Sequence, residues 1–330
     1  MKALTEKRYE LITRGIVEII EPNELLDLLE KKARPVIYHG FEPSSKAIHI
    51  GYLIGLQKHL DFIEAGLKLI ILFADLHAWL NEKGSWEEIA RMTQAYKKNF
   101  LAFGIPKNKV KFVTGTSFQL KRNYWLDVMR LALRVRMLRA KRSMTIIGRQ
   151  EDDPHVAQFL YPLMQVTDIK HLAVDIAFGD LAQRKVHMIA REELEAIGYK
   201  KPICLHHAEM AGLTQEGKMS SSKPETTIFV TDSPEKIEKK ILEAYCEPAK
   251  VENNPILQIV EYIIFGRIGL KEFKVEREAR FGGDVIYKNY QEVRDDYEKG
   301  LLHPLDLKKN VARELIKILA PMRKKLLGAG

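Results

Sequence analysis

The stretch Pro35-Val36-Ile37-Tyr38-His39-Gly40-Phe41-Glu42-Pro43-Ser44-Ser45-Lys46-Ala47-Ile48-His49-Ile50-Gly51-Tyr52 decides how the chain is read. Pro35 to Tyr38 has the apolar, β-branched character of a short strand, and Gly40 to Lys46 is rich in turn formers. After His49 the spacing becomes helical, with Leu53, Leu56, Leu60 and Ile63 on one face and Gly66 as a stop. A strand that turns directly into a helix offers unpaired N–H groups at the helix N-terminus, and Gly51 lets a ligand approach them. Taken alone, the segment reads equally as a nucleotide-binding turn or as a histidine capping a helix beside a packing glycine.

Outward from this stretch the strand–helix order repeats. Lys68–Asp75 is a near-continuous apolar run, the pattern of a parallel strand covered on both faces. Helices are predicted over 86–103, 124–139, 156–171 and 183–197, and strands over 109–113, 173–177 and 203–205. Upstream, 8–32 reads as helical with a break at Pro22-Asn23. The alternation implies an α/β domain, a doubly wound parallel sheet with its site at the carboxyl ends of the strands. After Thr231 the pattern turns mainly helical: Ser233 and Pro234 form an N-cap and first position, and further helices are predicted over 255–265 and 304–319. The expected boundary lies near 230, separating 1–230 from 231–330.

Composition narrows the classes. The 330 residues suffice for two domains, and 46% hydrophobic content is ordinary for a globular protein. No apolar run approaches a membrane span and the first residues lack the core of a signal peptide, so a cytoplasmic setting without membrane is expected. Cys204 and Cys246 form neither a CxxC pair nor a cluster of zinc spacing, so no protein-bound metal is expected. An excess of 53 basic over 44 acidic residues, net +9, favours a polyanionic partner without naming one.

A second stretch changes the odds on the first. Lys218-Met219-Ser220-Ser221-Ser222-Lys223 sets two ammonium groups around three hydroxyls, able to donate to a polyphosphate. An isolated stretch of this kind is usually solvated loop. Following the last predicted strand, however, it pairs in the correct order with His49-Ile50-Gly51-Tyr52 at the first strand end.

With these two motifs the chain resembles the class I aminoacyl-tRNA synthetases, and within them the archaeal and eukaryotic tyrosyl-tRNA synthetase family. The resemblance also rests on Tyr38–Ser44, Ala74–Ala78, Tyr161–Asp168, Gln183-Arg184-Lys185, Phe281–Asp284 and His303–Lys308. It implies a Rossmann-like catalytic domain followed by a mainly helical anticodon-binding domain, with a helical insertion over about 115–150 at a homodimer interface. It implies that tyrosine and ATP are condensed to tyrosyl-adenylate with loss of pyrophosphate, Mg²⁺ shielding the phosphates, and that the tyrosyl group then passes to the 3′ end of tRNA(Tyr).

Residue roles follow from the same resemblance. His49 and Lys218, helped by Ser220, Ser221, Ser222 and Lys223, would stabilise charge on the phosphates, with Gly51 and Met219 also at the ATP. Tyr38 and Asp168 would contact the phenolic oxygen of tyrosine, and Tyr161, Gln165 and Gln183 would hold its ammonium end. Tyr161, Gln165 and Asp168 stand at i, i+4 and i+7 on one helix face, where buried polar groups would be costly without a ligand or partner. Arg142 and Lys185 would meet the tRNA acceptor end, and Phe281, His303 and Asp306 the first anticodon base. Read without the family, Phe281 would be core and His303 a neighbour of a helix cap. The chain departs from the family pattern at Ser45, Tyr52, Asp180 and Ala182. Alternatives are a tryptophanyl enzyme, a catalytically inactive tRNA-binding paralogue and a small-molecule nucleotidylyltransferase.

Overall fold

The computed structural model describes residues 2–144, 155–214 and 217–328. In chain order the elements begin with α1 (Lys2–Thr13), β1 (Glu18–Ile20), α2 (Pro22–Lys31), β2 (Val36–Phe41), α3 (Tyr52–Glu64), β3 (Lys68–Phe73), α4 (Asp75–Leu80) and α5 (Trp86–Phe103). Next come β4 (Val110–Thr114), α6 (Thr116–Gln119), α7 (Arg122–Ala132), α8 (Met137–Met144), α9 (Val156–His171), β5 (Ile176–Asp180), α10 (Arg184–Glu193) and β6 (Ile203–His207). The remainder holds α11 (Pro234–Glu243), α12 (Pro255–Ile259), a π-helical turn over Val260–Ile264, β7 (Phe273–Val275), β8 (Val285–Tyr287), α13 (Tyr290–Glu298) and α14 (Pro304–Leu327).

Packing divides the chain into two compact units, Met1–Lys46 with Lys58–Lys97 and Ile105–Ala208, and Ala47–Gln57 with Lys98–Gly104 and Glu209–Gly330. The first unit holds a six-stranded sheet in the order β1-β6-β5-β2-β3-β4. β2 to β6 pair in parallel and β1 joins the edge antiparallel to β6. The chain leaves central β2 toward β3 and β4, then returns to build β5 and β6 on its other side. The β2–β5 seam is therefore the switch point at which open α/β sheets leave a crevice for ligands. Five of the six side chains of β3 are buried, as its apolar run requires.

Three departures from the sequence reading have local causes. The helix expected over 8–32 is interrupted: Gly15, at φ 68°, ends α1, and Glu18–Ile20 pairs with Cys204–His206 as an edge strand. A strand of three residues is too short to show alternation, and Ile16 and Ile19 happen to continue the helical spacing. The helix expected over 124–139 is two helices, because the turn after Ala132 carries Val135 against the apolar core. The strand expected over 173–177 begins at Ile176, with Ala173 in the left-handed region at φ 53°. Of the helical insertion expected over about 115–150, residues 145–150 lie outside the described residues.

In the second unit the segment 48–50 pairs antiparallel with 228–230, through Ile50 N–H to Ile228 O and Val230 N–H to Ile48 O, each 3.0 Å. Ser233 caps α11 by accepting from Lys236 N–H, as its sequence suggested. Helix α12 is capped by Asn254, fully buried, whose Oδ1 accepts from Ile256 N–H at 3.0 Å and Leu257 N–H at 3.2 Å. Asn254→Ala leaves both donors unpaired in the interior and should cost about 1–2 kcal/mol, read as a lower denaturant midpoint with unchanged slope.

Candidate active site

The polar cluster at the heart of the first unit is built around one carboxylate. Asp168, near the C-terminal end of α9, is 1% exposed. Its Oδ1 accepts from Gln119 Nε2 at 2.8 Å and from the Tyr124 hydroxyl at 2.7 Å. His77 Nε2 stands 4.0 Å from Oδ2, and Gln119 Nε2 lies 3.4 Å from His77 Nδ1. Tyr38, inward on β2, is equally buried. Burial pushes the Asp168 carboxyl up to about 7, against the hydrogen bonds from Gln119 and Tyr124. Burial first, and Asp168 second, hold the proton on the Tyr38 phenol. The cluster thus combines a phenolic donor with a carboxylate acceptor, the complement of a hydroxyl that both gives and takes a hydrogen bond.

His77 Nε2 and Gln119 Oε1 are buried without a hydrogen-bond partner among the described residues. Orphaned polar atoms of this kind are rare in folded proteins and mark capacity for a polar ligand. The cluster is also sterically fixed. A Cβ on Gly115 would lie 2.4 Å from Gln119 Oε1 and 2.8 Å from Asp75 Oδ1, so only glycine permits this approach. Asp75 in turn anchors the start of α6, accepting from Thr116 N–H at 2.8 Å and Thr116 Oγ1 at 2.6 Å.

One turn back along α9 from Asp168, Gln165 Nε2 donates to Gln183 Oε1 at 2.8 Å. The Tyr161 hydroxyl donates to Glu42 Oε2 at 3.1 Å, and Asn81 Nδ2 donates to the same oxygen at 2.8 Å. Burial raises the Glu42 pKa while Lys83, Asn81 and Tyr161 oppose the rise. Asp180, one of the departures from the family pattern, accepts from Gln183 N–H and so fixes the turn that presents Gln183. The structure therefore brings together all five residues expected at tyrosine, from β2, α9 and the turn after β5. Sequence reasoning missed Gln119, Tyr124, His77 and Glu42. A buried Asp168 without a named partner was the signal that could have prompted the search for the first three.

The second unit holds the other expected cluster. His49 is half-buried, and burial with the nearby Lys218 charge lowers its pKa to about 3, leaving a neutral imidazole at physiological pH. A Cβ on Gly51 would sit 2.9 Å from His49 Nδ1, so the glycine is what lets the ring lie over the helix start. The His49 and Tyr52 rings meet edge to face at 4.6 Å, accounting for an aromatic residue at that position.

The Lys218–Lys223 loop is anchored through its first three residues. Lys218 bridges to Ala211, Met219 N–H donates to Met210 O at 2.8 Å, and Met219 itself is buried. Thr227, fully buried, donates to Ser220 O at 2.8 Å and accepts from Ser220 N–H at 3.2 Å, a clasp the sequence did not reveal. Ser220 and Ser222 share a hydroxyl contact of 2.9 Å, and Lys218 Nζ is held 2.8 Å from Glu209.

Of the residues expected at tRNA, Phe281 is 57% exposed with the Arg280 guanidinium 4.8 Å from its ring centroid. It is not core, contrary to the reading made without the family. His303 Nδ1 accepts from Leu305 N–H and caps α14, and Asp306 stands in that helix's first turn. Arg277 ties the glycine turn after Phe281 to Leu301, donating to Gly283 O and Leu301 O. Arg142 is exposed on α8, and Lys185 lies in the first turn of α10.

A parallel sheet with a switch point, a histidine–glycine helix start and a Lys-Met-Ser-Ser-Ser loop are the features of a class I aminoacyl-tRNA synthetase. The chain matches the family described as tRNA synthetases class I (W and Y) over residues 30–320, and it belongs to that family. It is 49% identical to a tyrosine–tRNA ligase of Methanopyrus kandleri, covering 97% of each chain. The tyrosyl-tRNA synthetase of Archaeoglobus fulgidus, solved with L-tyrosine, superposes with a TM-score of 0.91 at 48% identity, covering 98% of this chain and 99% of that one. That of Aeropyrum pernix gives 0.90 at 38% identity, covering 99% and 96%.

The raised Asp168 pKa fixes the sign of a stability effect. The unfolded carboxyl titrates near about 3.9, so the folded state holds this proton more tightly. Its contribution is full below that value and is lost as pH rises through about 7. Urea unfolding of wild type and Asp168→Asn between pH 4 and 8 should show the wild type losing stability relative to the variant as pH rises, by on the order of a few kcal/mol. A difference that grew in favour of wild type with rising pH would contradict the assignment.

Proposed function

We propose that the chain activates tyrosine with ATP and charges tRNA(Tyr), and that the Asp168 cluster is what selects tyrosine. The observation that carries the reading is that Tyr38 and Asp168 are both buried in one polar cluster and feel each other electrostatically, with Gln119 and Tyr124 holding the carboxylate in place. A phenylalanine would bring no hydroxyl to this cluster and would set an apolar ring against buried polar groups, His77 Nε2 and Gln119 Oε1 among them, at the cost of leaving them unpaired. The same geometry disfavours a tryptophanyl enzyme, since an indole N–H donates without accepting. Tyr161, Gln165 and Gln183 are assigned to the ammonium end, with Glu42 holding the Tyr161 hydroxyl.

The reaction needs no protein nucleophile. The tyrosine carboxylate oxygen attacks the α-phosphorus of ATP, the new O–P bond replaces the bond to the β-phosphate oxygen, and pyrophosphate departs. What the protein supplies is alignment and stabilisation of charge on the phosphate oxygens. His49 is assigned as a neutral N–H donor, Lys218 and Lys223 as cations, and Ser220, Ser221 and Ser222 as hydroxyl donors, with Gly51 and Met219 completing the ATP contacts. Mg²⁺ would arrive on the ATP phosphates. Among the described residues no group of three or more potential protein ligands forms a cage for a metal, so no step is assigned to a protein-held ion.

The tyrosyl group then passes to the 3′ end of tRNA. Arg142 and Lys185 are assigned to the acceptor end, and Phe281, His303 and Asp306 to the first anticodon base, where an exposed ring and a carboxylate suit a base splayed from a loop. The functional boundary is placed near 230, with anticodon recognition in 231–330. A homodimer is supported by Leu126, Met129 and Leu133, exposed along α7 and at its C-terminal end, with Met137 and Leu138 exposed just beyond. No helix among the described residues is long and apolar enough to cross a membrane. A cytoplasmic place, where translation consumes charged tRNA, is proposed from the activity.

Three measurements test these assignments. Exchange of pyrophosphate into ATP should depend on tyrosine and fall by about 100-fold in His49→Ala. Because His49 is already neutral, the wild-type rate should show no His49 limb between pH 5 and 8; exchange driven by tryptophan alone would refute the substrate. Asp306→Ala should reduce tRNA charging while leaving exchange intact, and a parallel fall in both would remove the anticodon assignment. Leu133, 89% exposed, should be needed for self-association, so Leu133→Glu should sediment as a monomer where wild type sediments as a dimer.

A further inference from the structure

Two glutamines outside the substrate-contacting set tie the phosphate-binding elements to one short helical segment. Gln258, on α12, accepts from Ala211 N–H through Oε1 at 2.7 Å. Ala211 is the residue bridged to Lys218, so this one bond sits directly behind the lysine of the loop. Gln57 is 5% exposed on α3, the helix that His49 and Gly51 open. Its Nε2 donates to Tyr262 O at 2.9 Å and its Oε1 accepts from Ile268 N–H at 3.1 Å.

The seat for Gln57 is built into the backbone. Tyr262 lies within the π-helical turn Val260–Ile264, a widened turn of the kind that recurs at functional sites. A Cβ on Gly266 would lie 2.4 Å from Gln57 Oε1 and 2.3 Å from Tyr262 O, so glycine is what admits the amide. Gln57 is thus held at both ends of its amide. Among the described residues Gln258 acts only as an acceptor.

We propose that Gln57 and Gln258 are positioning residues for adenylate formation, through which the segment Pro255–Ile264 and the turn after it set the places of His49 and Lys218 against one common support. The proposal rests on the reading that His49 and Lys218 engage the ATP phosphates. Neither glutamine touches a substrate in this account; each acts through the backbone of the element it holds. Displacing a charge-stabilising group by about 1 Å can cost up to about 100-fold in rate, so losing either anchor should reach the chemical step before it reaches overall stability.

The two anchors differ in what they tolerate. Glutamate at 258 keeps the acceptor that Ala211 N–H needs. Glutamate at 57 loses the donor to Tyr262 O and sets a carboxylate oxygen against that carbonyl.

The test measures pyrophosphate exchange in Gln258→Leu, Gln258→Glu, Gln57→Leu and Gln57→Glu, with His49→Ala and Lys218→Ala alongside. Tyrosine binding without ATP, by equilibrium dialysis, reports the intact pocket for every variant. Expected are kcat losses of about tenfold or more in Gln258→Leu and in both Gln57 variants, with near-wild-type exchange in Gln258→Glu and tyrosine binding unchanged throughout. Full exchange in Gln258→Leu or Gln57→Leu while His49→Ala and Lys218→Ala fail would overturn the positioning role alone. Equal damage from Leu and Glu at 258, or tyrosine binding lost in step with exchange, would overturn it as well. Full exchange in His49→Ala and Lys218→Ala would overturn the phosphate reading and the proposal with it.

Discussion

A carboxylate buried away from water is the constraint on which the first unit depends. Asp168 cannot be sealed into an apolar core without partners, because a desolvated charge or unpaired acceptor costs several kcal/mol. Gln119 and Tyr124 meet that need from α6 and α7, and each is itself completely buried. Their placement in turn requires the start of α6 to be pinned by Asp75 and Gly115 to lack a side chain. A network satisfied on its inner side, with His77 Nε2 and Gln119 Oε1 left over, is poised for a polar ligand and resists an apolar one.

The second unit solves a different problem, that of holding flexible, charged sequence in one place. A loop of lysines and serines has little to bury. It is held by Met219, which does go into the core, and by the Thr227 hydroxyl closing on both backbone groups of Ser220. Pairing of 48–50 with 228–230 then links the histidine-bearing segment to the extended segment that follows the loop. His49 stays neutral because burial strips its charged form of solvation and the Lys218 charge opposes a second cation, which suits a hydrogen-bond donor whose strength does not change across physiological pH.

Much of this was legible in the sequence because it is written in short-range patterns. The apolar run at 68–73, the turn into α3 and the helical faces of α5 and α9 depend on neighbours a few residues apart, and they appear where expected. The edge strand Glu18–Ile20 was hidden because three residues cannot display a period of two. The break after α7 was hidden because nothing in Leu133 to Arg136 announces a turn, and the inward packing of Val135 is a tertiary event. At the site, the i, i+4, i+7 spacing placed Tyr161, Gln165 and Asp168 together. It could not supply Gln119, Tyr124 or His77, which reach Asp168 from more than 40 residues away. Partners of a buried charge come from wherever the fold delivers them, and sequence distance carries no trace of that.

The central claim is that Asp168, held by Gln119 and Tyr124, reads the phenolic hydroxyl. It is tested most directly by the ratio of kcat/KM for tyrosine to that for phenylalanine in pyrophosphate exchange, compared between wild type and Asp168→Ala. The account predicts that this ratio falls by about tenfold or more in the variant, through loss of tyrosine activation. An unchanged ratio in a folded variant would contradict it.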